Sequence, residues 1–199
     1  HLLDSGLFTV ALSQVNVDYA FSQKDANLEP IFQNISYDRQ TNLKADGVWR
    51  LNRNLRLSSG VKLNRTNFYS DLVLNQTDVP GIGTLSVEEE YAKVGWKSGA
   101  YAQLAQRFFR LNYTAGIRVD NFTILVAKPV VSPRFSVSYS LTGELTSSLS
   151  LGRYNQYPST IWLVAEESNR DLEPIKADQV VVGLEYLWRP DTRVSLETY

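Results

Sequence analysis

Apolar and polar residues alternate one by one along most of this chain, and the helical spacing i, i+3, i+4, i+7 is sustained nowhere. Phe135, Val137, Tyr139 and Leu141 are interleaved by Ser136, Ser138 and Ser140, so one face of that run is apolar and the other small and polar. In the next run Leu145, Leu149 and Leu151 oppose Thr146, Ser148, Ser150 and Gly152. Upstream, Leu111, Tyr113, Ala115, Ile117 and Val119 alternate with Asn112, Thr114, Gly116, Arg118 and Asp120, and Leu55, Leu57, Val61 and Leu63 with Arg56, Ser58, Lys62 and Asn64. The period of two predicts an all-β chain. Strands are expected near Leu7–Gln23, Ile35–Leu51, Leu55–Tyr69, Tyr91–Gln106, Leu111–Phe122, Val131–Leu141, Leu145–Gln156 and Lys176–Trp188, with a last one beginning at Arg193.

Two properties of these runs point away from a soluble sandwich, whose strands usually have about 5 to 6 residues. Most of the runs are twice that length, and about 10 residues tilted near 45° already cross a hydrocarbon layer. Their connections also alternate. Tight ones at Leu51–Asn54, Arg107–Arg110, Thr142–Glu144 and Arg189–Thr192 take turns with long ones at Lys24–Asn34, Leu72–Glu90, Thr123–Val130 and Tyr157–Ile175. Short turns on one rim and long loops on the other predict an antiparallel transmembrane β-barrel, with about nine strands present here as an incomplete part of a larger one. Charge placement agrees: Lys44, Asp46, Arg50, Arg56, Lys62, Lys93, Lys97, Arg118, Asp120, Glu185 and Glu197 all fall on the polar phase, where a lumen would take them. Trp49, Phe108, Phe109 and Trp188 gather by the short turns, and Tyr19, Phe21, Phe68, Tyr69 and Tyr154 by the long loops, as two aromatic girdles would.

Composition narrows the chemistry. The chain has 199 residues with no Cys, no Met and the single histidine His1, so the sequence holds no Cys/His metal site, no cysteine nucleophile and no internal Ser-His-Asp relay. No catalytic residue is expected, and neither a cofactor nor a metal is claimed. The 20 basic and 21 acidic residues are spread evenly and form no basic stripe of the kind a nucleic acid requires. The longest apolar run, Ile161–Ala165, is far short of the roughly 20 residues of a spanning helix. The opening His1 and an end at Tyr199 inside an alternating run suggest a piece of a longer chain.

The segment SPRFSVSYSLTGELTSSLSLGRYNQY, Ser132 to Tyr157, resembles the late barrel of TonB-dependent outer-membrane receptors. The likeness extends to Asn169–Ala177, leading into VVVGLEY at Val180–Tyr186, and to the turn Arg189-Pro190-Asp191-Thr192 followed by Val194 and Leu196. Arg170 and Ile175 depart from the Pro and Glu usual in that stretch. GAYAQLAQRF at Gly99–Phe108 and YTAGIRVDNF at Tyr113–Phe122 are similar to the same family. The resemblance implies residence in a bacterial outer membrane and uptake of a scarce nutrient, most commonly a ferric siderophore. It also implies work done by TonB on a plug domain and TonB box, neither of which is recognisable in this chain. About nine strands fall short of the roughly 22 that close a transporter barrel. A passive porin and a soluble carbohydrate-binding module are the alternative readings.

Candidate binding residues come from the loop at Tyr157–Asp171, which mixes Tyr157, Ile161, Trp162, Leu163 and Val164 with acids. Exposed apolar groups in a loop usually have a partner, here either cargo or a neighbouring loop. Tyr157 and Trp162 are the expected cargo contacts. Arg153 and Tyr154 lie on opposite faces by parity, so one of them would line the lumen near its outer mouth. Glu88-Glu89-Glu90 and Glu166-Glu167 are read as solvated acids, not as a metal site.

Overall fold

The computed structural model describes residues 6–79, 83–126, 128–159, 163 and 167–199. They form one antiparallel sheet of nine strands in sequence order: β1 (Gly6–Lys24), β2 (Pro30–Asn52), β3 (Leu55–Val79), β4 (Gly83–Phe108), β5 (Leu111–Phe122), β6 (Val130–Ser140), β7 (Leu145–Gln156), β8 (Ile175–Arg189) and β9 (Thr192–Thr198). Each strand pairs only with its chain neighbours and the sheet is open, with β1 and β9 as its edges. A 3₁₀ turn at Glu167–Asp171 precedes β8.

The tight connections share one rim and are stitched to their neighbours. Arg107 N donates to Asn54 O at 2.9 Å, Ser140 N to Arg110 O at 2.9 Å and Leu187 N to Glu144 O at 2.8 Å. Phe109 adopts a φ of 53°, the left-handed region that glycine usually fills at a two-residue hairpin turn, and its ring meets Phe108 edge-on at 4.6 Å.

The opposite rim differs from expectation. The connection between β1 and β2 is only Asp25–Glu29, closed by the Asp25 carboxylate accepting from Asn27 N at 2.9 Å and Glu29 N at 2.8 Å. Leu72–Glu90, read as a loop, is mostly a continuation of β3 and β4, paired from Asp71 with Glu90 to Val79 with Gly83. Asn75, Gln76, Thr77 and Asp78, which follow Leu74, show no apolar alternation. The ladder is made of backbone bonds, which do not require an apolar face, and it continues through this stretch.

The register sorts the two faces. Val137, Leu149 and Val182 stand opposite one another, as do Asp46, Gly60 and Tyr101 on the other face. All eleven charged residues placed on the polar phase fall on this second, inner face. The outer positions between Leu43 and Trp49, Leu55 and Leu63, Leu111 and Val119, Val131 and Tyr139, Leu145 and Leu151, and Val180 and Trp188 carry no charge at all. Leu55 to Leu63 spans roughly 27 Å of strand, or about 20 Å of height at the usual tilt, close to the apolar band of such barrels. On β1 to β4 this band ends in one hydrogen-bonded row: Leu12, Leu43, Leu63 and Ser98 are in register, and the next outer row is Gln14, Thr41, Arg65 and Trp96. Thr41 Oγ1 donates to Gln14 Oε1 at 3.0 Å along that polar row.

Leu149→Arg places a cation in the lipid band at about 2 to 4 kcal/mol, whereas Ser148→Arg points inward beside Gly183, which leaves room for it. In a heat-modifiability gel of the full-length protein, Leu149→Arg should lose the folded band and Ser148→Arg should keep it.

Candidate functional site: the inner wall under two joined loops

Where β2 to β5 leave the membrane band, their inner face carries a polar network. Asn64, nearly buried, donates through Nδ2 to Asn42 Oδ1 at 2.7 Å and Gln40 Oε1 at 3.2 Å, and accepts from Thr66 Oγ1 at 2.8 Å. One row lower the Arg118 guanidinium grips both oxygens of Asp120, at 2.7 and 2.6 Å. Asp46 takes Lys44 Nζ at 2.7 Å and the Tyr101 hydroxyl at 2.9 Å. Buried amides that satisfy one another in this way hold a fixed geometry, because any one of them left unpaired would cost a full desolvation penalty.

Above the network lies an apolar cap. Phe122, Ile124, Leu125 and Leu163 form a buried cluster, with Leu163 fully enclosed and Tyr157 packed against it. Leu125 N donates to Phe122 O at 3.2 Å and Val126 N to Arg170 O at 3.0 Å, which ties the β5–β6 connection to the β7–β8 connection. The cap seats on the wall through Gly95, where an added Cβ would come within 2.5 Å of Ile124, and through Lys97, whose Nζ lies 4.4 Å from the Phe122 ring centre. A glycine is required there by close approach of the cap, not by backbone conformation. Between cap and wall a cleft of about 350 Å³ is lined by Lys62, Lys97, Arg118, Asp120, Asn155 and Tyr157, among others.

The expected site residues separate. Tyr157 is at the cleft: its ring meets Phe122 at 5.7 Å, and its hydroxyl is buried with no hydrogen-bond partner among the described residues. Burial, and then the nearby Asp120 carboxylate, push that phenol above its ordinary pKa, so it stays protonated and able to donate. Tyr154 is the member of its pair that faces inward, with the Arg134 guanidinium 4.5 Å from its ring centre. Arg153 faces outward and is held by Asp178 in a bidentate pair at 2.7 and 2.8 Å. Trp162 lies outside the described residues. Its neighbour Leu163 has found the neighbouring loop, which answers the choice between loop and cargo for that residue.

Lys97 and Asn64 lie on the expected polar phase, but nothing in their local sequence marked them, or Asn155, as parts of one site. Asn155 closes the seam where β6 and β7 part beyond Arg134 and Gly152, donating to Ser132 Oγ at 2.8 Å and Val131 O at 3.3 Å. Only cross-strand register brings Asn42, Asn64 and Lys97 side by side. Among the described residues no group of three or more acids and histidines could hold a metal ion.

Comparison with known proteins agrees with this architecture. Residues 3–199 match the family model described as TonB dependent receptor-like, beta-barrel. The fold is similar to that of the copper transporter OprC, with a TM-score of 0.70 and 14% identity over 90% of this chain and 34% of the other. It is similar also to a chain in the structure of the FpvAI–pyocin S2 complex, with a TM-score of 0.72 and 13% identity over 99% of this chain and 30% of the other. The chain thus spans about a third of the length of these structures. No curated protein matches the sequence.

Removing Leu163 as Leu163→Ala should empty the centre of the cap at about 2 to 5 kcal/mol of local packing. Limited proteolysis of the full-length protein should then cut the two connections several-fold faster, with the barrel band in a heat-modifiability gel unchanged.

Proposed function

Since the chain belongs to the TonB-dependent receptor-like β-barrel family over residues 3–199, we propose that it is part of the wall of a bacterial outer-membrane transporter that captures a scarce nutrient and imports it with energy supplied through TonB. The cargo class is a ferric siderophore. The observation that carries this reading is the cleft under the cap. Lys62 and Lys97 reach it without an ion-pair partner among the described residues, and beside them stand the Arg118–Asp120 pair and the protonated, unpartnered Tyr157 hydroxyl. Cations, amides and a phenol donor suit an anionic, oxygen-rich ligand, and an aromatic face adds contact area at small entropic loss. A general diffusion pore would have no use for a walled recess. Arg153, turned outward and neutralised by Asp178, is a weaker cargo contact than Tyr157, whereas the inward Tyr154 stands on the cargo side. Trp162 remains a proposed contact on the grounds of residue type alone.

In the full-length protein, Tyr157→Phe should leave cap packing intact and weaken siderophore binding by roughly five- to tenfold, the worth of one hydrogen bond of about 1 to 1.5 kcal/mol. Equal affinity in a fluorescence-quenching titration would remove the hydroxyl from the site. Loss of TonB should abolish uptake of labelled ferric siderophore and leave surface binding unchanged, because binding uses the loops and wall while translocation needs work on the plug. Undiminished uptake without TonB would reject active transport and favour a porin.

A further inference from the structure

A second group of cations stands at the rim of tight turns, which is the periplasmic rim of such barrels. Arg53 lies in the turn between β2 and β3, and Arg56 and Arg107 are on the inner faces of β3 and β4. Together with Asn52, Asn112 and Thr114, among others, they line a cavity of about 550 Å³ that has no acid in its wall. The sequence gives the reason: no Asp or Glu occurs between Asp46 and Asp71, or between Glu90 and Asp120.

Register crowds these charges. Arg56 faces Arg50 on one side and Ala105 on the other, and Arg107 is two positions beyond Ala105, a diagonal neighbour of Arg56 with its Cα about 7 to 8 Å away. Ala105 pairs in turn with Thr114, so short side chains leave the floor of the cavity open between long ones. Arg107 N donates to Asn54 O at 2.9 Å and Asn54 N to Asn52 Oδ1 at 2.8 Å, which fixes the turn carrying Arg53 to the end of β4. Arg53, Arg56 and Arg107 make no ion pair among the described residues. Cations so grouped repel one another unless an anion stands between them.

The inner wall therefore has two cationic stations. About 34 Å of strand separates Lys97 in the cleft from Arg107 at the mouth, and the cations between them, Lys44 and Arg118, are neutralised by Asp46 at 2.7 Å and Asp120 at 2.6 Å. The upper station is roofed by the cap. The lower one is open, with all three arginines exposed, so water and salt screen it and an anion is held there more loosely. We propose that Arg53, Arg56 and Arg107 form an exit site that takes the carboxylate or phosphate oxygens of an anionic cargo as it leaves the lumen. Guanidinium forks match such oxygens bidentately, and weak hold suits release. The proposal rests on the transport reading.

The test uses the full-length protein in mild detergent, with a fluorophore at Asn112→Cys in the cavity wall. Ferric citrate and pyrophosphate should each quench it saturably, and Arg53→Gln/Arg56→Gln/Arg107→Gln should require roughly tenfold more of either, or beyond. The corresponding triple Lys variant, which keeps the charge, should stay within about threefold of wild type. In cells the Gln variant should bind labelled ferric siderophore at the surface as wild type does and import it several-fold more slowly. A heat-modifiability gel reads assembly, and should the Gln variant not assemble, the wild-type and Lys titrations still decide. Absence of quenching in wild type would mean that another part of the protein fills the mouth, and would overturn the proposal. Equal import by the Gln variant would do the same, as would inorganic phosphate binding as tightly as ferric citrate, which would make this a site for free phosphate. Wild-type import that persists without TonB is a separate result: it removes the transport reading, and the exit role with it, whatever the titrations give.

Discussion

In hydrocarbon there is no water to receive a backbone N–H or C=O, so every peptide group that crosses must find its partner within the protein. The continuous antiparallel ladder from β1 to β9 is the answer to that constraint, and the other features follow from it. A ladder leaves side chains only two directions. One faces lipid and must be apolar, the other faces a lumen and can be polar. The charge-free outer positions and the Ser, Asn, Lys and Asp of the inner face are the two halves of a single rule.

The same ladder explains why β2 to β4 run to 23, 25 and 26 residues. Once above the lipid, the backbone bonds no longer need to be internal, yet breaking them would expose groups already paired at no further loss of chain entropy. The strands therefore continue, and only their outer composition changes, at one row shared by four strands. Above that row the inner face of β1 turns apolar, with Val15, Val17, Tyr19 and Phe21, while its outer face turns to Gln14, Asn16 and Asp18. Phe21 meets Phe32 at 5.7 Å on this inner side.

The buried apolar core of the chain is small and sits where a soluble domain would not put it, on the inner wall, made by two loop segments and Phe122 at the end of β5. This gives the cleft a roof that is packed and not merely draped. A roof fixed through Gly95 and through the Val126–Arg170 backbone bond positions Tyr157 over the polar network. The loops and the wall act as one recess, and the cations within it face inward where ion pairing is incomplete.

How much of this was legible without coordinates can be judged from particular residues. Alternation is local, because successive side chains on any strand must point to opposite faces, and so the face of Leu149 or Arg118 could be read from its neighbours alone. Residue type then told which face met lipid, and turn chemistry told which rim was tight. The extension of β3 to Val79 was not legible, since a solvated strand and a loop have the same composition. Nor was the site. That Asn42, Asn64 and Lys97 stand abreast and that Leu163 joins Ile124 in one cluster depend on register and on loop packing across tens of residues, whereas the outward turn of Arg153 follows from the phase of Leu149 and Leu151 on its own strand. A period of two assigns each residue a side, but only pairing between strands assigns it neighbours, and binding is a property of neighbours.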